Sequence, residues 1–314
     1  MEKDRQEISK IKAVILHSQG PAPVDAQPPQ SLEAIRITQA DTDDQLTRLW
    51  LHGRSVHTQR AYSRDIRQFH TFTKKDLRHT TIADLQAYAD DLVGKGLKTT
   101  SQQRILASVK SLISYAHKIG YLPFDTGKPL KIPKSMDHLA ERILSENDIH
   151  QMITIENHPR NKLLLRVLYA TGIRVSELCR IQVKDCQPRE KGGQISIYGK
   201  GGKTNTILIP ENLWNDLIVF RANTLDDSPL FTSRKGRHFN PSQIWRIVRK
   251  AARKAGIEKD VSPHWYRHAH ASHALQRGAS IALVQRTLAH SSVNTTGRYL
   301  HVRPEESSSQ YLDV

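Results

Sequence analysis

SPHWYRHAHASHALQRGASIALVQRTLAHSSVNTTGRYLH, the stretch from Ser262 to His301, combines reactive His, Arg and Tyr side chains with helix-forming patterns. Ser262 and Pro263 are typical of the first positions of a helix, so we expect His264 and Arg267 about one turn apart near its N-terminus. Backbone N–H groups at such an end favour anions, and a guanidinium matches phosphate oxygens. The start of this stretch therefore predicts an anion site.

The rest of the stretch predicts two more helices. Apolar residues recur at helical spacing between Ile281 and Leu288, which indicates a helix that ends near His290. A Ser/Asn/Thr cluster then permits another helix to start near Asn294, and we expect Tyr299 in an early turn of it. Groups able to bind, protonate or attack a phosphodiester would thus converge.

Charge and composition narrow the classes of function. The chain has 314 residues, which favours two modest domains, and a formal net charge of +16 with a pI of about 9.9. A polyanion such as nucleic acid is the expected partner, although an ordinary basic enzyme also fits. Two cysteines, Cys179 and Cys186, provide no disulfide framework, and no apolar run approaches the roughly 20 residues of a membrane span. We expect a soluble, cytoplasmic protein without a membrane partner.

The order of patterns along the chain predicts two folded regions. Residues 1–44 include a Gly/Pro/Gln/Ser-rich patch and are expected to form a flexible tail. Residues 45–122 show the periodicity of four helices, one of which carries Arg60 and Arg64 on its flank. Prolines mark residues 123–141 as a linker that either faces a DNA duplex or is solvated. Residues 142–314 would form the second domain and a C-terminal tail.

Two features of the second domain carry candidate functional groups, the junction at Arg174 and a lysine-bearing hairpin. The domain opens at Ser145 with a sequence typical of a capping box. Arg174 follows a helix break and either points toward a ligand or pairs with Glu177. Alternating apolar residues around a glycine-rich turn predict a β-hairpin with Lys200 and Lys203 at its tip, where a lysine is either solvated or catalytic.

Residues 243–255, QIWRIVRKAARKA, predict an amphipathic helix with a strongly basic face. Its apolar residues face inward, and the basic residues that face outward are Arg246, Arg249, Lys250, Arg253 and Lys254. Such a face suits contacts with DNA phosphates, but a run of charges is also often only solvated.

The motifs together resemble the tyrosine recombinases of the phage integrase or Xer type, from about Ser55 to His301. SVHTQRAYSRDIRQF resembles the helical core-binding domain of that family, and ATGIRVSEL, GKGGK, HWYRHAHASH and LAHSSVNTTGRYLH resemble its catalytic motifs. The resemblance implies six catalytic residues: Arg174, Lys200, His264, Arg267, His290 and Tyr299. It also implies a mostly α (α+β) tyrosine recombinase fold, with a SAM-like N-terminal domain and a mainly helical catalytic domain with a small β-hairpin sheet.

Two positions depart from the family pattern. Ala289 stands where the family commonly has glycine before the late histidine, and Tyr266 stands where it commonly has leucine before the second arginine. We expect both residues to be tolerated in packed helices, since neither replacement removes a reactive group.

The resemblance implies site-specific strand cleavage and rejoining through a 3′-phosphotyrosyl intermediate. Tyr299 would attack, Arg174 and Arg267 would hold the phosphate oxygens, Lys200 would protonate the leaving group, and His264 would act as a base or hydrogen-bond partner. His290 would donate a further hydrogen bond to the phosphate. Neither ATP nor a metal ion is expected, because the bond energy is kept in the protein–DNA linkage.

Several alternatives stay open at this point. Tyr266 and Tyr311 are rival nucleophiles, and His268, His270 and His273 are metal-ligand candidates that do not share one helix face. A type IB topoisomerase and a catalytically silent DNA-binding regulator are competing functions. For a recombinase, the expected partners are a double-stranded recombination site, other protomers in a tetramer joined through the C-terminal tail, and a related recombinase or accessory protein. The expected location is the bacterial nucleoid, in integration, excision or dimer resolution.

Overall fold

The computed structural model describes residues 40–134, 138–198, 204–290 and 292–300. The chain divides between residues 136 and 137 into two compact units, and each unit has its own buried core. Most of the described residues are helical, and a three-stranded antiparallel sheet lies in the second unit. The expected mostly α fold with a small β component is confirmed.

In the described part of the first unit, four α-helices follow one another, with a short 3₁₀ helix at Leu77–His79. The helices are α1 (Asp43–Leu51), α2 (Val56–Thr73), α3 (Ile82–Gly94) and α4 (Thr99–Lys118). Side chains that accept from free backbone N–H groups fix the starts of α1, α2 and α3. Ser55 Oγ accepts from the Thr58 N–H, and Thr81 and Asp84 form a reciprocal capping box.

The core of the first unit combines aromatic and aliphatic side chains. Phe69 of α2 and Tyr88 of α3 meet edge to face, with ring centroids 5.1 Å apart. Two buried residues of this core, Ala40 and Leu130, lie in the stretches predicted to be tail and linker. The packed region therefore extends beyond residues 45–122 at both ends.

One carboxylate is buried in the first unit. Asp65 of α2 is 1% exposed and forms an ion pair with Arg104 of α4. Ser108 Oγ donates to the same carboxylate oxygen at 3.4 Å. A buried charge without such partners costs several kcal/mol, so the ion pair makes Asp65 compatible with the core.

The second unit is a helical body around the small sheet. Its described α-helices are α5 (Glu146–Thr154), α6 (Pro159–Thr171), α7 (Val175–Leu178), α8 (Glu211–Arg221), α9 (Pro241–Lys254), α10 (Pro263–Gln276), α11 (Ile281–Thr287) and α12 (Val293–Gly297). Short 3₁₀ helices span Ala140–Arg142 and Val183–Asp185. The capping box predicted at Ser145 is confirmed, because Ser145 and Asp148 exchange two hydrogen bonds of 3.1 Å.

The sheet has the order β1 (Cys186–Pro188), β2 (Gly193–Tyr198) and β3 (Thr204–Ile209). The register of β2 and β3 pairs Gly193 with Ile209 and Tyr198 with Thr204. The predicted hairpin is therefore present, and its alternating isoleucines face the core. Strand β1 was not predicted, because a three-residue strand is too short to show alternation.

Packing between α6 and α10 sets the frame of the site. The two helices contact each other, and their buried residues include Leu164 and Val167 of α6 and Ala269 of α10. This packing brings the end of α6 beside the first turns of α10. None of the helices in the described ranges is long and apolar enough to cross a membrane.

Candidate active site

Arg267 lies in the first turns of α10 with its side chain buried. It is 5% exposed, and its guanidinium donates to the carbonyl oxygens of Gly172 at 2.7 Å and Leu288 at 2.6 Å. Among the described residues, no carboxylate lies within ion-pairing distance of it. A buried cation held only by carbonyl dipoles leaves its charge available to an anion.

Desolvation, followed by the positive charge of Arg174, lowers the pKa of Arg267 to about 10. Arg267 therefore stays charged at neutral pH. The predicted helix start at Pro263 is confirmed, but the Ser262 side chain makes no capping hydrogen bond, and only its extended backbone fits the N-cap position.

Gly172 allows the backbone to approach Arg267 closely enough to accept its hydrogen bond. It ends α6 in the left-handed conformation, with φ of 58°, and its N–H donates to the Leu168 carbonyl. A Cβ atom there would lie 2.5 Å from Leu288 Cδ2 and 2.8 Å from His270 Cδ2. Both the conformation and the lack of space therefore require glycine where Arg267 is anchored.

Arg174 is paired with Glu177, which is one of the two alternatives that the sequence leaves open. Its guanidinium donates to Glu177 Oε1 at 2.9 Å, and its backbone N–H donates to Glu177 Oε2 at 2.9 Å. It also donates to the Ala289 carbonyl through a longer bond of 3.4 Å. Because Leu288 and Ala289 are adjacent, one turn of backbone binds both guanidinium groups, and the Arg174 side chain is still 37% exposed.

Tyr299 lies two residues beyond the end of α12 rather than in an early turn of that helix. Its N–H donates to the Thr296 carbonyl at 3.1 Å. The side chain is 4% exposed, and its hydroxyl is hydrogen-bonded to His268 Nδ1 at 2.8 Å. Burial raises the pKa of Tyr299, although the charges of Arg267 and Arg298 oppose that shift, so the phenol is protonated at neutral pH.

His290 is tied to the turn that carries Tyr299. Its Nδ1 is hydrogen-bonded at 2.8 Å to Oγ1 of Thr296, which is fully buried. Desolvation, and then the charges of Arg267 and Arg174, lower the pKa of His290 to about 4. The ring is therefore neutral at pH 7 and close to both arginines.

The sequence suggested that Ala289 lies in a packed helix. That expectation is wrong, because α11 ends at Thr287. Ala289 has a left-handed backbone with φ of 49°. That conformation costs roughly 1–2 kcal/mol for a residue with a Cβ atom, which is why glycine suits it. Tyr266, by contrast, is fully buried in α10, and its hydroxyl donates to the Met152 sulfur at 3.8 Å.

His264 is exposed at the start of α10 and faces the same side of the helix as His268. The two rings stack with centroids 6.3 Å apart and an interplanar angle of 27°. Partial desolvation by the surrounding protein, and then the charges of Arg267 and Arg174, lower the pKa of His264. It therefore lies near the two guanidinium groups.

Five of the six predicted catalytic residues fall in the described ranges, and the fold brings them together: Arg174, His264, Arg267, His290 and Tyr299. Lys200 and Lys203 lie outside the described residues, as does the rival nucleophile Tyr311. The other rival, Tyr266, belongs to the core.

Two residues of the cluster were missed as parts of this site, His268 and Thr296. The spacing of His264 and His268, four residues apart on a helix, was the signal that both rings face one side. Thr296 had no comparable signal, because its contact with His290 depends on the turn between α11 and α12. Within the described ranges, no group of three His, Cys, Asp or Glu side chains is placed to hold a metal ion.

The basic face of α9 lines an open groove of about 520 Å³. Arg246 and Lys250 lie along it with Arg160, Arg234 and Lys235, three basic residues that the helical pattern did not single out. Arg249 differs, because it pairs with Asp260 at 3.1 Å and lies over the Trp245 ring. Arg253 is exposed near the C-terminal end of α9.

The first unit has a groove of about 600 Å³ between α1 and α2. Arg60, Arg67 and Arg48 line it with Asp44. Arg64 is exposed one turn after Arg60 but is not part of the lining. The predicted basic flank of α2 is therefore open to solvent.

These units and this cluster define a class of protein. The profile of the phage integrase family matches residues 142–306, which is more than half of the chain, and the profile of the phage integrase N-terminal SAM-like domain matches residues 46–120. The chain belongs to the phage integrase family.

Individual relatives are tyrosine recombinases. The chain is 34% identical over 260 residues to the tyrosine recombinase XerC of Corynebacterium glutamicum, with 80% of this chain and 83% of that protein covered. It is 31% identical over 265 residues to XerD of Shewanella oneidensis, covering 80% and 87%. The fold is also similar, with a TM-score of 0.69 and 23% identity, to the structure of XerH bound to a palindromic difH substrate in a post-cleavage complex, over 85% of this chain and 83% of that one.

Proposed function

We propose that this protein is a site-specific DNA recombinase in which Tyr299 cuts a DNA strand and forms a 3′-phosphotyrosyl bond. Arg174 and Arg267 hold the two non-bridging oxygens of the attacked phosphate. His290 donates to the same phosphate, and Lys200 protonates the leaving 5′ oxygen. The other strand's free 5′ hydroxyl then attacks the phosphotyrosyl bond and restores Tyr299.

The observation that carries this proposal is the buried charge of Arg267, which has no ion-pair partner among the described residues. Its two hydrogen bonds go to carbonyl oxygens, and its charge acts on the nearby Tyr299 phenol. A phosphate placed beside Arg267 and Arg174 would receive positive charge from two sides. The same charges stabilise the pentacoordinate state, in which the phosphorus centre gains negative charge.

The protonated state of Tyr299 determines what help the reaction needs. A phenol of raised pKa is a poor nucleophile, so it requires a base or strong stabilisation of charge in the transition state. The reaction conserves the energy of the phosphodiester in the protein–DNA bond. We therefore expect full activity in the presence of a metal chelator and without ATP.

DNA contact is proposed for the basic surfaces of both units. The proposed contacts are made by exposed side chains: Arg246 and Lys250 in the groove of α9, and Arg60 and Arg64 on α2. Arg249, Arg253 and Lys203 are further proposed contacts. We propose assembly into a tetramer on two duplexes, with the tail beyond residue 303 exchanged between protomers, and action at the bacterial nucleoid with a related recombinase or an accessory protein.

The test is trapping of a covalent adduct. The protein would first select its binding site from random duplex DNA, and a nicked version of that site would then prevent religation. We expect a DNA adduct that survives denaturant and maps to Tyr299 by peptide sequencing. Tyr299→Phe should abolish it while DNA binding is retained, and Tyr311→Phe is the matched control that should keep it.

Two competing activities have distinct outcomes in the same set of experiments. Relaxation of a plasmid without the selected site would indicate a type IB topoisomerase. Tight binding with no adduct would indicate a regulator that no longer cuts. For the tail, truncation after Arg303 should spare DNA binding but impair synapsis of two sites in a native gel; full recombination by the truncated protein would refute the tail exchange.

A further inference from the structure

His268 holds the hydroxyl group on which the proposed reaction depends. Its Nδ1 lies 2.8 Å from Tyr299 Oη, with ring centroids 5.8 Å apart and an interplanar angle of 47°. Both side chains are largely withdrawn from solvent. Among the described side chains, His268 is the one hydrogen-bonded to the phenolic oxygen.

The other two histidines of the cluster have different contacts. His290 directs its Nδ1 to Thr296, and His264 stacks on His268 at the exposed start of α10. No hydrogen bond joins either of them to Tyr299 within the described residues. The geometry therefore separates the group that touches the attacking oxygen from the groups that surround the phosphate.

Burial, together with the charges around His268, keeps its ring neutral in the free chain. Desolvation, followed by the charges of His264, Arg142, Arg298 and Arg267, lowers the pKa of His268 to about 4. A neutral imidazole has one unprotonated nitrogen, and a phenol has one proton to donate. The hydrogen bond that satisfies both groups runs from Tyr299 Oη–H to His268 Nδ1.

We propose that His268 is a further catalytic residue, which accepts the phenolic proton through Nδ1 as Tyr299 attacks the DNA phosphate. This inference rests on the proposed function. A lone pair of Oη forms the new O–P bond, and the O–H bond gives its proton to Nδ1. The bond from phosphorus to the 5′ oxygen breaks, and that oxygen takes the electron pair and a proton from Lys200. In the reverse step, the His268 imidazolium returns its proton to the phenolic oxygen.

DNA itself would make His268 a better base. The cations that disfavour its protonated form include Arg267, which would be bound to the phosphate in the complex. A phosphate beside Arg267 offsets that charge and acts to raise the pKa of His268, while the lowering by desolvation, the largest cause, remains. Proton acceptance is thus favoured when substrate occupies the site.

A second His–Tyr pair on the same helix provides an internal control. His273 Nδ1 lies 2.9 Å from the Tyr169 hydroxyl, with ring centroids 5.8 Å apart. This pair is also partly buried, and within the described residues no hydrogen bond joins it to Arg174 or Arg267. The His273–Tyr169 pair therefore shows what replacing a tyrosine-bound histidine of α10 does when that tyrosine takes no part in the proposed reaction.

The experiment compares substitutions that separate hydrogen bonding from proton acceptance. In His268→Asn, the side-chain oxygen takes the place of Nδ1 and still accepts a hydrogen bond, but it does not bind a proton near neutral pH. His268→Ala removes both functions. His273→Asn is the matched control on the same helix. Single-turnover cleavage of the nicked site would be measured between pH 5 and 9, with protein in excess so that binding does not limit the rate.

We expect both His268 variants to cleave about 100-fold or more slowly than the wild type, which is the typical contribution of a general base. The wild-type rate should fall at acid pH as His268 becomes protonated, and His268→Asn should lose that part of the profile. His273→Asn should keep the wild-type rate and profile. Folding of each variant would be checked by its thermal unfolding and DNA affinity.

Two results would overturn the role of His268 alone. A wild-type rate in His268→Asn with a slow His268→Ala would reduce His268 to a hydrogen-bond acceptor that positions Tyr299. Wild-type rates in both variants would leave it no part in the reaction. If the wild-type protein forms no adduct that Tyr299→Phe removes, the proposed function itself fails, and that result is distinct from the other two.

Discussion

The two units treat a buried charge in opposite ways. In the first unit, the buried carboxylate of Asp65 is neutralised by Arg104 and supported by Ser108. In the second unit, the buried guanidinium of Arg267 has carbonyl oxygens as partners, and the described residues place no carboxylate against it. The first arrangement completes a core. The second keeps a positive charge ready for a ligand, at a cost in stability that the Gly172 and Leu288 carbonyls reduce.

The largest expected effect is on catalysis, through Arg267→Ala. Loss of one donor to a transition-state oxyanion costs about 3–4 kcal/mol, so single-turnover cleavage should slow by roughly 100- to 1,000-fold. DNA affinity should change much less, because many other phosphate contacts remain. Arg267→Lys is the control that keeps the charge without the planar fork, and a normal cleavage rate in Arg267→Ala would contradict the proposed role.

Arg104→Ala tests the other side of the comparison. It leaves Asp65 buried and unpaired, and we expect a loss of about 3 kcal/mol in the free energy of unfolding, the lower end of the range because Arg104 is partly exposed. Replacing both residues, Asp65→Leu with Arg104→Met, should recover most of that loss. Chemical denaturation measures it, and the cleavage rate of correctly folded protein bound to DNA should not change.

Gly172→Ala should destabilise the second unit by roughly 2–4 kcal/mol. The added Cβ combines a left-handed backbone with contacts that are too close to Leu288 and His270. Because Gly172 also accepts a hydrogen bond from Arg267, the cleavage rate should fall together with stability. Gly256→Ala is a useful control: its φ is 72°, but a Cβ there meets no atom within 4 Å, so it should lose only the backbone part and cleave DNA normally.

Paired and unpaired cations can also be compared within α9. Arg246→Ala and Lys250→Ala should each weaken DNA binding and lower the slope of log affinity against log salt by about 1. Arg249→Ala should have a smaller effect, because Asp260 already offsets the Arg249 charge. The affinities would be measured at several salt concentrations, and equal slopes for all three variants would show that the ion pair opens when DNA binds.

The smallest expected effect is a gain in the free energy of unfolding. Ala289→Gly removes left-handed strain but increases the entropy of the unfolded chain, so the free energy of unfolding should rise by up to about 1 kcal/mol. The Ala289 carbonyl that accepts from Arg174 is retained, so cleavage should stay near the wild-type rate. Thermal unfolding detects the change, and a loss of stability would mean that the backbone at this position is not strained in solution.

The periodicity of apolar residues within single helices and strands supplied most of the structural predictions that the sequence allowed. Helical spacing predicted the four helices of the first unit and the inward faces of α9 and α11, and period-two alternation predicted the hairpin of β2 and β3. These signals are readable because each depends on neighbours within one element. The short strand β1 and the end of α12 before Tyr299 were missed, since they are too short to show a period.

Tertiary structure alone decided how the reactive groups meet. Arg267 and its acceptor Gly172 are 95 residues apart, and His268 and Tyr299 are separated by 31 residues and two short helices. Their contacts depend on how α6, α10 and the turn after α12 pack together. The periodicity of residues within one helix does not specify how far that helix lies from another. The sequence therefore identified the chemical groups, and the packed fold selected which histidine touches the phenol and left one buried arginine without an ion-pair partner among the described residues.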